Sequence, residues 1–292
     1  MSGHLISFTK MSAGGNDFIV IDNVSAPEGE GIRPDAETIR RLCARALSVG
    51  ADGVILIEPA AEAHVKMVYF NSDGGRAALC GNGVRCVARM AALRRFAPSD
   101  GMRIETDAGT LDAAVEGDRP WFRLPLGVPD ARPRTLQLEG TLDEVSRTVQ
   151  AVQVLAGVPH LVIETRDARG MSGKELMALA PRLRSHPDLG PEGANVDFIT
   201  LIDDHTLDIR CYERGVEAET VSSGSGCIAS ALAVVLAGRA ASPVSCRSRA
   251  GTSSTVTLEP QEEGAFNAVL SGDARVIYTA ALNAEALSGF DL

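Results

Sequence analysis

Runs of β-branched and aromatic residues alternate with helical stripes along this chain. FIVI (18–21), GVILIE (53–58), VKMVYF (65–70), LVIE (161–164), DFITLI (197–202) and TLDIRCY (206–212) predict strands. PDAETIRRLCARAL (34–47) predicts a helix, with Pro34 and Asp35 at its start and Ile39, Leu42, Cys43 and Leu47 on one apolar stripe. SGKELMALAPRLRS (172–185) is its counterpart later in the chain, despite Pro181. Two further helices are expected after Gly-x-Gly turns: VRCVARMAALRRF (84–96) and CIASALAVVLAGR (227–239). The latter is almost wholly apolar, which predicts a buried helix rather than an amphipathic one. AGTLDAAVEGDRPWFRLPL (108–126) and RAGTSSTVTLEP (249–260) read as hairpin-like strands with Gly and Ser turns.

The pattern occurs twice. AGGNDFIVID (13–22) aligns with LAGVPHLVIE (155–164), ADGVILIE (51–58) with ANVDFITL (194–201), MVYFNSDG (67–74) with IRCYERGV (209–216), and LCGNGVRCVA (79–88) with SSGSGCIASA (222–231). Four matches in order at one near-constant spacing predict a duplicated α/β domain. The length of 292 residues agrees, at ~150 residues per domain. LGVPDARPR (126–134) is the expected crossover, which divides the chain into domains 1–130 and 131–279. Two related domains are expected to leave a cleft with matching motifs on its two walls.

Composition narrows the function classes. Hydrophobic residues make up 45% and charged residues 23%, ordinary globular usage. The longest apolar runs are far short of a membrane span, and the first residues lack the basic and apolar regions of a secretory signal. A cytoplasmic protein with reduced thiols is expected. The net charge of −10 opposes nucleic-acid or anionic-membrane binding, which needs clustered Lys and Arg. Six cysteines (43, 80, 86, 211, 227, 246) include no Cys-x-x-Cys pair, and the five histidines show no ligand spacing near them, so no metal site is expected. Cys43 and Cys211 read as small buried hydrophobes on a helix stripe and a strand. Cys80, set against glycine in LCGNG, does not.

The candidate chemistry lies at the repeat's equivalent positions. Cys80-Gly81-Asn82-Gly83 and Ser223-Gly224-Ser225-Gly226 each precede a predicted helix. A glycine-rich helix start lets an anion approach free backbone N–H groups, and a thiol there is acidified. Each motif alone equally fits a tight strand-to-helix turn; two at equivalent positions, one carrying a cysteine, point to a carboxylate-binding and reactive site. Glu213 and Arg214 follow an apolar strand, as Asn71 does in the first copy. An arginine can hold a carboxylate bidentately, and a glutamate can act as acid, base or partner of a thiol, although a solvated strand end explains the pair as well. Asn16 and Asn195 flank strands with small neighbours and offer amide donors, or simply turn chemistry. His160 stands beside a Gly-Pro turn at an equivalent repeat position; a lone histidine is more often structural.

Taken together, FTKMSAGGNDF (8–18), NSDGGRAALCGNGVRC (71–86), GVPH (157–160), GANVDF (193–198) and YERGVEAETVSSGSG (212–226) resemble the diaminopimelate epimerases and their cofactor-independent amino-acid racemase relatives, over essentially the whole chain. The resemblance implies two pseudo-symmetric domains, each a β-barrel-like sheet around a central helix, with the active site in the interdomain cleft and the final segment, 280–292, returning to the first domain. It implies inversion of one α-carbon of LL-diaminopimelate to the meso form in lysine and peptidoglycan-precursor synthesis, without PLP or metal, by a homodimer. Two cysteines on opposite faces of the α-carbon take and return its proton, and two helix N-termini hold the carboxylate. By position, Cys80 matches the first catalytic cysteine, His160 its partner, and Glu213 the partner of the second. Asn16, Asn71, Gly81, Asn82, Asn195, Arg214, Gly224 and Ser225 match substrate-holding residues.

This chain departs from the family pattern in three places. Ser223 stands where the second catalytic cysteine is expected, Val158 stands where many members have Asn, and Ala13 replaces a common Gly. A serine hydroxyl lies many pK units above a thiol, so Ser223, natural or introduced, is expected to impair two-base transfer. Cys227 is four residues on, in the following helix, and is not expected to substitute. A relative acting on another amino acid, as racemase or one-base lyase, and a non-catalytic amino-acid-binding protein are the alternatives these departures leave open.

Overall fold

The computed structural model describes residues 7–138 and 147–287, in two compact units. The first runs through Arg123 and resumes at Ser271; the second is Leu124–Leu270.

The first unit contains β1 (Ser7–Ala13), β2 (Asn16–Asp22), α1 (Ala36–Cys43), β3 (Gly53–Glu58), β4 (Val65–Asn71), β5 (Arg76–Ala77), α2 (Gly81–Arg94), β6 (Met102–Thr106), β7 (Gly109–Glu116) and the start of β8 (Arg119–Gly127). The second holds β9 (Ala131–Leu138), β10 (Arg147–Ala156), β11 (Val158–Glu164), α3 (Gly173–Arg184), β12 (Asn195–Asp203), β13 (Thr206–Glu213), β14 (Ala218–Thr220), α4 (Gly224–Leu236), β15 (Val244–Ser248), β16 (Ser253–Pro260) and most of β17 (Phe266–Gly272). β18 (Arg275–Ala281) belongs to the first unit.

The strand pairing is the same in both. β2 and β3 are parallel, β3 and β4 antiparallel, and β4 runs parallel to β6, which turns back into β7. β11 and β12, β12 and β13, β13 and β15, and β15 and β16 repeat that sequence of directions. The register repeats as well. Phe18 stands opposite Gly53, and 142 residues on His160 stands opposite Asn195. The outermost strand of each series comes from different places in the chain. In the second unit β9 pairs with β10, whereas in the first β1 pairs with β18. This strand at 275–281 lies earlier than the expected returning segment 280–292, of which 288–292 fall outside the described residues.

Each unit carries one helix buried against several strands and one outer helix that is only partly buried. α4 packs on β10, β11, β12, β15 and β16, and α2 on β1, β4, β6 and β7. That burial explains their composition: α4 from Gly226 to Val234 is buried on all sides. The outer helices bury only a stripe. α1 places Ile39, Leu42 and Cys43 against Ile19, Ile21, Val54 and Val68, and α3 places Leu176, Ala180 and Leu183 against Leu161, Val196 and Phe198. Asp35 caps α1 through the Thr38 amide at 2.8 Å, and Ser172 caps α3 through Glu175 at 3.1 Å.

α1 is shorter than the sequence pattern predicts. It stops at Cys43, Ala46 adopts a left-handed φ of 67°, and Leu47 is 57% exposed instead of joining the stripe. Polar tertiary contacts replace the missing turn: Arg45 ion-pairs with Asp17 and Asp52 on the neighbouring strand and loop.

Candidate functional site

Both buried helices begin on the side chain that the repeat marked as reactive. Cys80 is the N-cap of α2, its sulfur accepting from the Gly83 amide at 3.4 Å. Ser223 is the N-cap of α4, its hydroxyl oxygen accepting from the Gly226 amide at 3.2 Å. The helices therefore start earlier than their apolar stripes suggest. Gly81, Asn82 and Gly83, like Gly224, Ser225 and Gly226, form the first turn rather than a linker before it. The first turn of a helix presents N–H groups without intrahelical partners and the positive end of the dipole.

In the first unit, Asn82 is buried and donates to the Asn16 carbonyl at 2.6 Å. Its own carbonyl accepts from the buried Arg85, and the Asn16 amide donates to Asp52 at 2.9 Å. A chain of amides running from Arg85 to Asp52 thus fixes which end of Asn82 and of Asn16 is the donor. Burial first and the neighbouring Cys80 second push the Tyr69 phenol, on β4, well above its ordinary range. Asn71 is exposed at the end of β4, where its backbone closes the turn with Gly74 and Gly75.

The second unit draws together His160, Asn195, Glu213 and Ser223. His160 is fully buried, its Nδ1 2.7 Å from Asp197 and its Nε2 3.3 Å from the Asn195 amide nitrogen. The Asn195 carbonyl accepts from the Arg214 backbone at 2.8 Å. Glu213 accepts from the Thr220 hydroxyl at 3.1 Å. Burial raises the Glu213 carboxyl above its usual range, and the Ser223 and Thr220 hydroxyls beside it offset this only in part. The Arg214 guanidinium pairs with the exposed Glu192 at 3.1 Å. Ser225 lies 3.4 Å from the Ser223 hydroxyl.

The sequence marked Cys211 as a small buried residue of a strand, as it is, and did not mark Asp197; both sit beneath this site. Asp197 is fully buried in β12, and a Cβ on Gly226 would come within 2.6 Å of its Oδ1 and 2.9 Å of the Cys211 sulfur. Burial and the Asp197 charge push the Cys211 thiol well above the ordinary range. An acid inside the β-branched run NVDFITL was the available signal. Among the described residues no group of three or more His, Cys, Asp or Glu side chains is arranged to hold a metal, none of the six cysteines is in a disulfide, and no helix is long and apolar enough to cross a membrane.

Comparison with known proteins agrees over nearly the full length. A family model described as diaminopimelate epimerase matches residues 8–130 and 152–277. The diaminopimelate epimerase of Gemmatimonas aurantiaca is 34% identical over 285 residues, spanning 94% of this chain and 98% of its own. That of Aquifex aeolicus is 33% identical over 290 residues, spanning 97% and 99%. Among solved structures, a hydroxyproline epimerase from Agrobacterium vitis superposes with a TM-score of 0.69 at 18% identity, covering 100% of this chain and 96% of that one. A phenazine biosynthesis protein of the PhzF family from Bacillus anthracis gives 0.71 at 14% identity, covering 96% and 99%. At such identities the two structures speak for the fold alone. With the family model matching both repeats and the relatives aligned almost end to end, this chain belongs to the diaminopimelate epimerase family of isomerases.

Proposed function

We propose that this chain binds diaminopimelate and moves the proton on one α-carbon, with LL-diaminopimelate and its meso isomer as the two ends of the reaction. The observation that carries this is the pair of repeat-equivalent N-caps, Cys80 on α2 and Ser223 on α4, in a chain whose relatives are named for the reaction. The α-carboxylate takes the N–H groups of the helix starts, at Gly81 and Asn82 and at Gly224 and Ser225, where fixed dipoles stabilise charge as it builds on the α-carbon. Asn16, Asn71, Asn195 and Arg214 supply further polar contacts to the substrate. The Cys80 thiolate removes the α-proton, and His160 is its base partner.

Inversion needs a second carrier that returns a proton to the other face of the carbon. Position 223 carries a hydroxyl close to Glu213, and a hydroxyl is a far weaker acid than a thiol. The proposed outcome is an enzyme with one effective proton carrier: it exchanges the α-proton with solvent and inverts poorly. The same reading takes the chain as a cytoplasmic homodimer, which sedimentation in solution tests.

The direct test is proton NMR in D₂O with LL- and meso-diaminopimelate. The expected result is loss of the α-proton signal with the native chain and no loss with Cys80→Ala. Absence of both binding and exchange with every diaminopimelate stereoisomer would overturn the substrate assignment.

A further inference from the structure

The two units share backbone and register but not polarity at one pair of positions. In the first unit, Phe18 on β2 and Ile55 on β3 occupy the places that His160 on β11 and Asp197 on β12 occupy in the second, each 142 residues on. Their surroundings correspond too. A Cβ on Gly83 would come within 3.2 Å of Ile55, as one on Gly226 would meet Asp197. The fold therefore accepts an apolar residue beneath the start of the buried helix. A fully buried carboxylate there carries a desolvation cost that an isoleucine does not.

Its contacts say what it does. The Arg214 N–H donates to the Asn195 carbonyl, so the other end of that amide, 3.3 Å from His160 Nε2, is an N–H donor. A donor there requires Nε2 to carry the lone pair. The ring proton then sits on Nδ1 and is donated to Asp197 Oδ2 at 2.7 Å. Both hydrogen bonds select the same tautomer.

We propose that Asp197 is a positioning residue that locks His160 in the Nδ1–H tautomer and so reserves Nε2 as the proton-accepting nitrogen. Which nitrogen of a histidine is protonated is set by the bond the other one makes. Asn195 supports the lock from the opposite side of the ring. The tautomer follows from geometry alone; its effect on catalysis rests on the epimerase reading above.

The test is long-range ¹H–¹⁵N NMR of the histidine rings at neutral pH, in the native chain and in Asp197→Asn and Asp197→Leu, with His160 assigned by its loss in His160→Gln. The native ring is expected to show a pyrrole-type Nδ1 and a pyridine-type Nε2. Both substitutions are expected to weaken that preference. A native His160 with its proton on Nε2 overturns the proposal without any variant, and so does an unchanged pattern in a folded Asp197 variant. In a Ser223→Cys background that turns over, Asp197→Asn is expected to lower kcat roughly 100-fold with KM nearly unchanged, as loss of a correctly protonated base does. A changed tautomer without loss of kcat would separate a failed mechanism from a failed structural assignment: it would leave the lock in place and remove His160 from the chemistry.

Discussion

Glu213 shows how one buried side chain ties stability to the site. Burial raises its carboxyl pKa, and the Ser223 and Thr220 hydroxyls beside it offset this incompletely. The folded chain thus holds the Glu213 proton to higher pH than the unfolded chain does. Its contribution to stability is complete below the unfolded value of about 4.3 and is lost as pH rises through the higher folded value. Glu213→Gln keeps a neutral side chain at every pH. It is expected to leave Tm near the native value at about pH 4 and to exceed it at about pH 8. A Tm difference that does not change with pH would show that Glu213 titrates normally. At this scale the sequence was legible where a residue type was unusual for its surroundings, as with Cys80 among glycines. Asp197 stood in plain view in GANVDF, but a single acid in an apolar run also fits a solvated strand edge, and only its pairing with His160 distinguishes the two.

The elements explain why the helix starts hold their glycines. Replacing a helical glycine by alanine gains up to ~1 kcal/mol of helix propensity. At Gly226 the new methyl would lie 2.6 Å from a buried carboxylate and 3.1 Å from the Ser223 Cβ, an overpacking that costs about 1–3 kcal/mol. At Gly83 the nearest atom, at 2.7 Å, is the end of the flexible Met67 side chain, which can move aside. Urea unfolding is therefore expected to show a larger loss for Gly226→Ala than for Gly83→Ala. The reverse order would mean that Asp197 is free to shift. The interior of α4 follows ordinary core rules: Leu232 is fully buried, and Leu232→Ala is expected to cost ~2–5 kcal/mol, again read from the urea midpoint. The sequence marked no strand at β1, β6, β9, β10, β15, β17 or β18, whereas β2, β3, β4, β11, β12 and β13 and the four helices were legible from periodicity, because buried strands and apolar helices leave long unbroken signals. The ends were not. α1 stops where Arg45 turns to Asp17 and Asp52, and α2 and α4 begin on glycines, which propensity alone excludes from helices.

Across the whole molecule the duplication was the most legible feature, although the match of 51–58 with 194–201 lies one residue off the strand registers, which relate the two units at these strands by 142 residues. The position of β18 was not. It pairs with β1 from the far end of the chain, and no local pattern reports a partner that distant. The duplication also frames the central functional claim. Two equivalent helix starts carry two different N-caps, a thiol at 80 and a hydroxyl at 223, and in the proposed reaction this difference limits inversion. Rates of meso-diaminopimelate formation from the LL isomer, measured side by side for the native chain and Ser223→Cys, test it most directly. Inversion is expected to be at least ~100-fold faster in Ser223→Cys, the scale of one acid–base group. A native chain that inverts as fast as Ser223→Cys would contradict it.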